Sequence, residues 1–231
     1  MARTITTRWA RRARLRYGVK VLSHKQWGSR HRAVYAWRRE NKPHSLLPGT
    51  PVDTLWQHVT VTFDSGTFIG DFREDCRTVE RIGYERFRSG VSYNVLVDMS
   101  RGWLAIGQPF DAKGTHTVME KAQAGFSYDQ NAVALAWAVI GVCGDMLSAR
   151  AREAMARGIA AMMDVGACTG KPDYLPHSVA AYKDCPCDET RNAMAAIYDR
   201  ARQLHRRRLP PVRPLVTYPR DKRRAQRRDS A

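Results

Sequence analysis

Two imidazoles and a thiolate stand out among the side chains that could do chemistry. His58 lies in an apolar, β-branched run, residues 56–62, and His177 and Cys185 lie eight residues apart in a late segment. Three nitrogen and sulfur ligands leave a tetrahedral zinc with one open position, where a water becomes a nucleophile near neutral pH. A lone strand histidine is more often a satisfied core residue, and a lone His–Cys pair is often coincidence. Together the three residues indicate a metal-dependent hydrolase.

Further landmarks lie between and around these segments in a definite order. A strand-like run carries Tyr93, a hairpin-like segment leads to a Gly-x-His turn with His116, and Asn131 precedes an apolar run that ends in glycine. Cys185 is followed by proline. Upstream, residues 21–28 read Val-Leu-Ser-His-Lys-Gln-Trp-Gly. Each motif alone is weak, so the order of the whole set carries the signal.

This ordered set resembles the zinc-dependent N-acetylmuramoyl-L-alanine amidase family, shared by bacteriophage endolysins, bacterial amidases and animal peptidoglycan-recognition proteins. The resemblance covers residues 21–204. It implies one zinc ion per chain and hydrolysis of the amide between N-acetylmuramic acid and L-alanine in peptidoglycan. It also implies roles for eight residues: zinc ligands His58, His177 and Cys185, catalytic Tyr93 and Lys183, and substrate contacts His116, Thr117 and Asn131.

Some of these positions separate catalysis from recognition. In the family the strand tyrosine lies over the zinc, and the lysine two residues before the cysteine stabilises charge in the transition state. Recognition-only animal relatives typically lack the cysteine, so Tyr93, Lys183 and Cys185 together favour an enzyme. The chain departs from the pattern at Cys187, a second thiol that could compete for zinc, and at Asn94, where many relatives have a groove histidine.

Positive charge is concentrated at the two ends of the chain. The net charge is +17; residues 1–40 hold twelve Lys or Arg and one acid, and residues 205–231 hold ten and two. Such ends attract anionic cell-wall polymers, membrane surfaces and nucleic acids alike. We expect residues 205–231 to be a basic disordered tail, because they combine Arg and Pro with few apolar side chains. Residues 1–20 are predicted to be a basic extension, which forms either a helix that lies on the core or on a membrane, or simply a solvated Arg-rich face.

Hydrophobic periodicity predicts one α/β domain over residues 21–204, with a central mixed sheet flanked by helices. Apolar and alternating runs predict four strands, of which the middle two pair as a hairpin, over residues 56–63, 91–99, 102–109 and 133–141. Helical spacing predicts helices over residues 71–88, 146–164 and 189–204. The Gly- and Pro-containing section 165–176 is predicted to be a loop that delivers His177.

The number and spacing of the cysteines indicate the cellular compartment, as does the lack of an apolar signal segment. Five cysteines are an odd number without disulfide-like spacing, and the sequence shows neither an apolar signal segment nor a run of membrane length. We therefore expect synthesis in a reducing cytoplasm. By the resemblance, this fits an endolysin that accumulates in the host cytoplasm and reaches the wall through a separately encoded pore.

Two other classes of protein stay open. A catalytically silent module that binds peptidoglycan fragments would lack stoichiometric zinc. A nucleic-acid-binding protein is suggested only by the charged ends, because the sequence has no aromatic RNA-binding strand motif, helix-turn-helix signature or paired-cysteine finger. No specific nucleic acid is therefore expected as a partner.

Overall fold

The computed structural model describes residues 4–47, 49–60, 70–117, 129–142, 144, 146–182 and 184–207. Within them, six strands form one mixed sheet: β1 (Val21–Leu22), β2 (Val52–Val59), β3 (Val95–Asp98), β4 (Leu104–Ile106), β5 (Leu135–Ile140) and β6 (Cys168–Pro176). Their order across the sheet is β1-β4-β3-β5-β2-β6. Neighbouring strands run parallel except in the β3–β4 hairpin.

Helices connect and cover the strands. They are α1 (Ile5–Tyr17), α2 (His24–Trp27), α3 (Arg32–Asn41), α4 (Phe72–Phe87), α5 (Gln130–Val133), α6 (Ala149–Val165) and α7 (Asp188–Arg206), with a 3₁₀ turn at His177–Val179. Local sequence sets the ends of the longer helices. Asp71 caps α4 by accepting hydrogen bonds from the first-turn N–H groups, and Ser148 does the same for α6. No helix within these residues has the length and apolar character needed to cross a membrane.

Helices α1, α6 and α7 pack together on one face of the sheet, which we call the helical face. Its core includes Trp9 of α1, Trp137 of β5 and Met155 of α6, all fully buried. Gly158 lets α6 approach the strands, because a Cβ there would lie 2.5 Å from the Trp137 ring. The basic N-terminal helix therefore lies on the core, one of the three alternatives left by the sequence.

The opposite face of the sheet carries the site and is covered less uniformly; we call it the groove face. Near β1 and β4, Trp27 of α2 and Phe72 of α4 pack on Leu96. Near β2, the Trp56 side chain packs with three alanines and is covered by the segments around α5 and the 3₁₀ turn. Residues alternate between faces along each strand, so His58 shares the groove face with Trp56 while Val59 joins the helical core.

The predicted fold class is confirmed: a mixed α/β domain with a central sheet flanked by helices. The predicted hairpin and the three longer predicted helices are present. The prediction of a loop over residues 165–176 is wrong, because residues 168–176 form the edge strand β6 beside β2. Gly170 and Pro172 are typical of a loop, which is why the sequence predicts one. Both are tolerated here because an edge strand needs fewer backbone hydrogen bonds. Residues 208–231 of the predicted tail lie outside the described residues.

Candidate metal centre

His58 is delivered to the site by β2. Its side chain is 1 % exposed and lies on the groove face, in register with Ala138 of β5. The small side chain of Ala138 leaves room for an imidazole above the middle of the sheet. Burial, reinforced by the nearby His177 and His116, lowers the pKa of His58 well below its ordinary value. The ring is therefore neutral at physiological pH, which is the form that binds a metal.

His177 and Cys185 come from the segment that follows β6. That strand ends at Pro176, so the 3₁₀ turn starts beside the end of β2 and places His177 next to His58, with 4.4 Å between ring centroids. The backbone N–H of Ser178 donates to the Cys185 carbonyl at 2.6 Å and closes the loop. Cys185 is a reduced thiol in this loop, and its peptide bond to the following proline is cis.

The three side chains form a compact donor set. One donor atom from each of His58, His177 and Cys185 lies within 4.8 Å of the other two. The Cys185 Sγ lies 3.8 Å from the His58 Nδ1. Tetrahedral zinc with Zn–N near 2.1 Å and Zn–S near 2.3 Å places such an N–S pair about 3.6 Å apart. The residues present therefore fit a zinc ion in spacing, in donor chemistry and in protonation of the imidazoles.

Tyr93 lies beside the donor set. Its ring centroid is 5.0 Å from that of His58, and the residue is partly buried between the two apolar clusters of the groove face. Burial, with a smaller effect of Cys185, raises the pKa of Tyr93 above its ordinary value. The phenol therefore keeps its proton and can donate a hydrogen bond. Tyr93 precedes β3 rather than lying within it.

Lys183, the other predicted catalytic residue, lies outside the described residues. Its neighbours in the chain are held firmly from α7. Arg191 bonds through Nη2 to the Asp184 carboxylate and, at 2.9 Å, to the Pro186 carbonyl, and through Nη1 to Asp188. This clamp on the cysteine loop was missed from the sequence, where one more arginine in a basic chain carries no signal.

The predicted substrate residues form one braced turn. Asn131 Oδ1 accepts from the backbone N–H groups of His116 and Thr117, and its Nδ2 donates to the Thr117 carbonyl. The His116 Nδ1 pairs with Thr117 Oγ1 at 2.9 Å, while its Nε2 is buried without a hydrogen-bond partner. A Cβ on Gly114 would lie 2.5 Å from the His116 ring, so the turn requires glycine.

His116 lies near the donor set but outside it. The ring centroids of His116 and His58 are 5.8 Å apart, and His116 does not belong to the compact group of ligand atoms. Burial, with His177 and His44, lowers the pKa of His116 to about 3, so this ring is neutral as well. Arg38, also missed from the sequence, supports the turn from α3 by donating to the carbonyls of Lys113 and Gly114.

Two departures from the family pattern have structural explanations. Cys187 is disulfide-bonded, which the cysteine spacing did not indicate, so it offers no free thiolate to compete with Cys185. Asn94 is 1 % exposed, and its amide bonds to the backbone. Its Oδ1 accepts from Ala136 N–H, and its Nδ2 donates to the carbonyls of Gln108 and Pro109. Asn94 therefore ties β3 to β5 instead of lining the groove.

With this geometry in view, the fold can be compared with solved structures. Drosophila peptidoglycan recognition protein SA matches with a TM-score of 0.57 at 20 % identity, over 73 % of this chain and 86 % of that one. Drosophila peptidoglycan recognition protein LB matches with 0.57 at 18 % identity, over 78 % and 92 %. The bumblebee SA protein matches with 0.57 at 13 % identity, over 74 % and 90 %.

This chain has the peptidoglycan-recognition-protein fold. The result confirms, at the level of the fold, the resemblance found in the sequence. No protein-family model and no curated protein sequence matches the chain. One further neighbour, peptidoglycan recognition protein LE, was solved in complex with tracheal cytotoxin, a monomeric diaminopimelic acid-type peptidoglycan, and matches with a TM-score of 0.55 at 18 % identity over 72 % and 86 %.

Proposed function

We propose that this protein is a zinc-dependent amidase that hydrolyses the bond between N-acetylmuramic acid and L-alanine in peptidoglycan. The observation that carries the proposal is the donor set of His58, His177 and Cys185, within 4.8 Å of one another, on a peptidoglycan-recognition fold. A pure recognition module has no need for a thiolate and two neutral imidazoles at this spacing.

The protein's residues divide the work as follows. His58, His177 and Cys185 would hold zinc, which when bound supplies Lewis-acid activation of the scissile amide and of the attacking water. Tyr93 stays protonated and lies next to His58, so its hydroxyl is available to donate to the oxygen that gains negative charge. Lys183 is proposed, by the resemblance, to stabilise the same charge.

The braced turn provides a rigid wall for the peptide. Both backbone N–H groups of the turn are held by Asn131, and Thr117 is held through its carbonyl, so its shape is set before substrate arrives. The buried Nε2 of His116 is the polar atom of this wall that lacks a partner.

The biological role is a further proposal. An endolysin that is made in the host cytoplasm and reaches the wall through a separate pore fits the sequence expectations. Its basic ends would increase residence on anionic wall polymer or membrane.

The test combines metal analysis with product analysis. Purified protein should contain about one zinc per chain, and digested peptidoglycan should release stem peptides with a free L-alanine amino terminus while the glycan strands stay intact by mass spectrometry. Stoichiometric zinc without released peptides would refute the amidase. Binding to insoluble peptidoglycan without zinc would instead support a silent recognition module.

A further inference from the structure

A cavity lies away from the metal centre. It has a volume of about 510 Å³ and is bounded by the α1–β1 connection, the β3–β4 turn and the first half of α6. Its lining combines Val19 and Ala154 of the helical core with Trp103, which packs against the groove-face cluster just before β4, three strands away from β2 and His58 in the sheet. Its volume falls within the roughly 300–1,000 Å³ of small-molecule sites. A ligand here would not compete with peptidoglycan in the groove.

The lining of this cavity is strongly cationic. One carboxylate, Glu153, faces four basic side chains, which are Lys20, Arg101, Arg150 and Arg157. Glu153 is already engaged by Arg157 at 2.8 Å and by Arg200 at 3.0 Å. Across the described part of the chain, neither Lys20 nor Arg150 forms an ion pair. Two cations on different elements thus line one cavity without forming an ion pair to any described carboxylate, although Lys20 contacts the Trp103 ring.

Trp103 adds an apolar wall next to these charges. Its indole is partly buried, with Lys20 Nζ 3.1 Å from the ring centroid and the Arg101 guanidinium carbon at 5.4 Å. Aromatic rings bind the apolar C–H side of sugars and polyols, while neighbouring cations bind an attached anion. A plain salt-bridge network would not need the ring. The combination fits an organic anion.

We propose that this cavity binds a phosphate ester of a sugar or polyol. Lys20, which lies over the Trp103 ring, and Arg150 bind the phosphate, and the carbon skeleton extends alongside the partly buried indole. Phosphate is favoured over a single carboxylate because its greater charge and oxygen count match two cations that form no ion pair among the described residues. Helix α6 begins at Ala149 in the wall of the cavity, and its dipole adds to the attraction.

The test is calorimetric titration of the full chain with glycerol 3-phosphate, with glycerol as the uncharged control. Binding should weaken as salt rises. Arg150→Gln should weaken it roughly tenfold, the scale of one hydrogen bond to a charged group. The matched control is Arg152→Gln, which removes the same charge from an exposed position on the same helix that does not line the cavity. It should bind as the unaltered protein does.

An equal loss of affinity in Arg150→Gln and Arg152→Gln would show diffuse attraction to a basic surface and overturn the site. Absence of binding by the unaltered chain would overturn it as well. Lys20→Gln repeats the test from another element if Arg150→Gln does not fold. In a ¹H–¹⁵N spectrum the Trp103 indole signal, identified with Trp103→Phe, should move on titration, while that of fully buried Trp9 should not. If neither indole signal moves on titration, any binding occurs elsewhere and the proposal is overturned.

Two sources of such a phosphate can be separated. Vesicles of phosphatidylglycerol present it in a lipid headgroup, and glycerol 3-phosphate presents it in solution. Vesicle co-sedimentation that is lost in Arg150→Gln but kept in Arg152→Gln assigns the site to headgroups. Solution binding without co-sedimentation assigns it to soluble or polymeric esters. None of the altered residues lies in the metal centre, so the amidase proposal is tested independently.

Discussion

The two faces of the central sheet bury their side chains in different ways. On the helical face, long helices close over large apolar residues such as Trp9, Trp137 and Met155. On the groove face, three imidazoles lie buried within a few ångströms of one another, those of His58, His116 and His177. Desolvation of these rings costs free energy in the absence of a ligand. Apolar burial on the helical face therefore stabilises the fold, whereas the buried imidazoles of the groove face reduce its stability.

The alternation of one strand produces this division. In β2, Leu55 and Val59 enter the helical core, while Trp56 and His58 lie on the groove face. A shift of one residue in register would bury the metal ligand under α6 and expose the apolar pair. Changes on the two faces should consequently differ in kind, with loss of activity on one and loss of stability on the other.

The largest expected effect is on the groove face. Cys185→Ser should reduce zinc content and amidase activity to background, because a neutral hydroxyl is a far poorer zinc ligand than a thiolate. The loss should exceed the roughly 10–100-fold typical of an outer partner of a metal ligand. Zinc analysis and peptide release measure it. Cys187→Ser is the control and should keep zinc; zinc loss there with retention in Cys185→Ser would reverse the ligand assignment.

The helical face should respond in stability instead. Trp9 is fully buried, donates its indole N–H to the Gly158 carbonyl at 2.9 Å and packs against the Phe110 ring in a tilted arrangement. Trp9→Ala should lower the free energy of unfolding by about 3–5 kcal/mol. Trp37→Ala, at a side chain 51 % exposed on α3, should cost less than about 1 kcal/mol. Urea unfolding of both variants measures these changes. A similarly small loss of unfolding free energy in both would mean that α1 does not belong to the stable core.

A pair of tyrosines sharpens the comparison with one chemical change. Tyr93→Phe should keep zinc and stability but lower turnover roughly 100-fold, the scale of losing one oxyanion donor. Tyr174 donates to Gln57 on the helical side of the sheet, so Tyr174→Phe should cost about 1 kcal/mol of unfolding free energy and leave turnover unchanged. Turnover and urea unfolding are measured for both variants. A loss of stability in Tyr93→Phe together with a loss of turnover in Tyr174→Phe would contradict the assignment of chemistry to one face and stability to the other.

The smallest effect is expected at the clamp on the cysteine loop. Arg191→Gln removes the guanidinium that bonds Asp184 and the Pro186 carbonyl, so Cys185 should be held less precisely. Zinc affinity should fall roughly tenfold, measured by competition with a chelator. Arg206→Gln, exposed on the same helix, should leave affinity unchanged. An equal fall in both would point to net charge rather than to the clamp.

Much of the fold was predictable because its elements carry local signals. The apolar run of β5 and the helical spacing of α4, α6 and α7 depend on residues close in sequence. Strand β6 was not predictable in this way, since Gly170 and Pro172 argue against a strand and only pairing with β2 overrides them. Helix α2 spans four residues and strand β1 two, which is too short for a periodic pattern, so packing decides them.

The sequence by itself determined the donor types, their order along the chain and the alternation that places His58 opposite Val59. These follow from side-chain chemistry and from the period of a strand. Only the tertiary structure decided that residues 58, 177 and 185 share one site, because their approach depends on β6 pairing beside β2 and on a loop held from α7. The same holds for the cavity at Trp103, whose walls come from three segments that meet only when α6 packs on the sheet. Long-range proximity is a property of packing, and local sequence does not encode it.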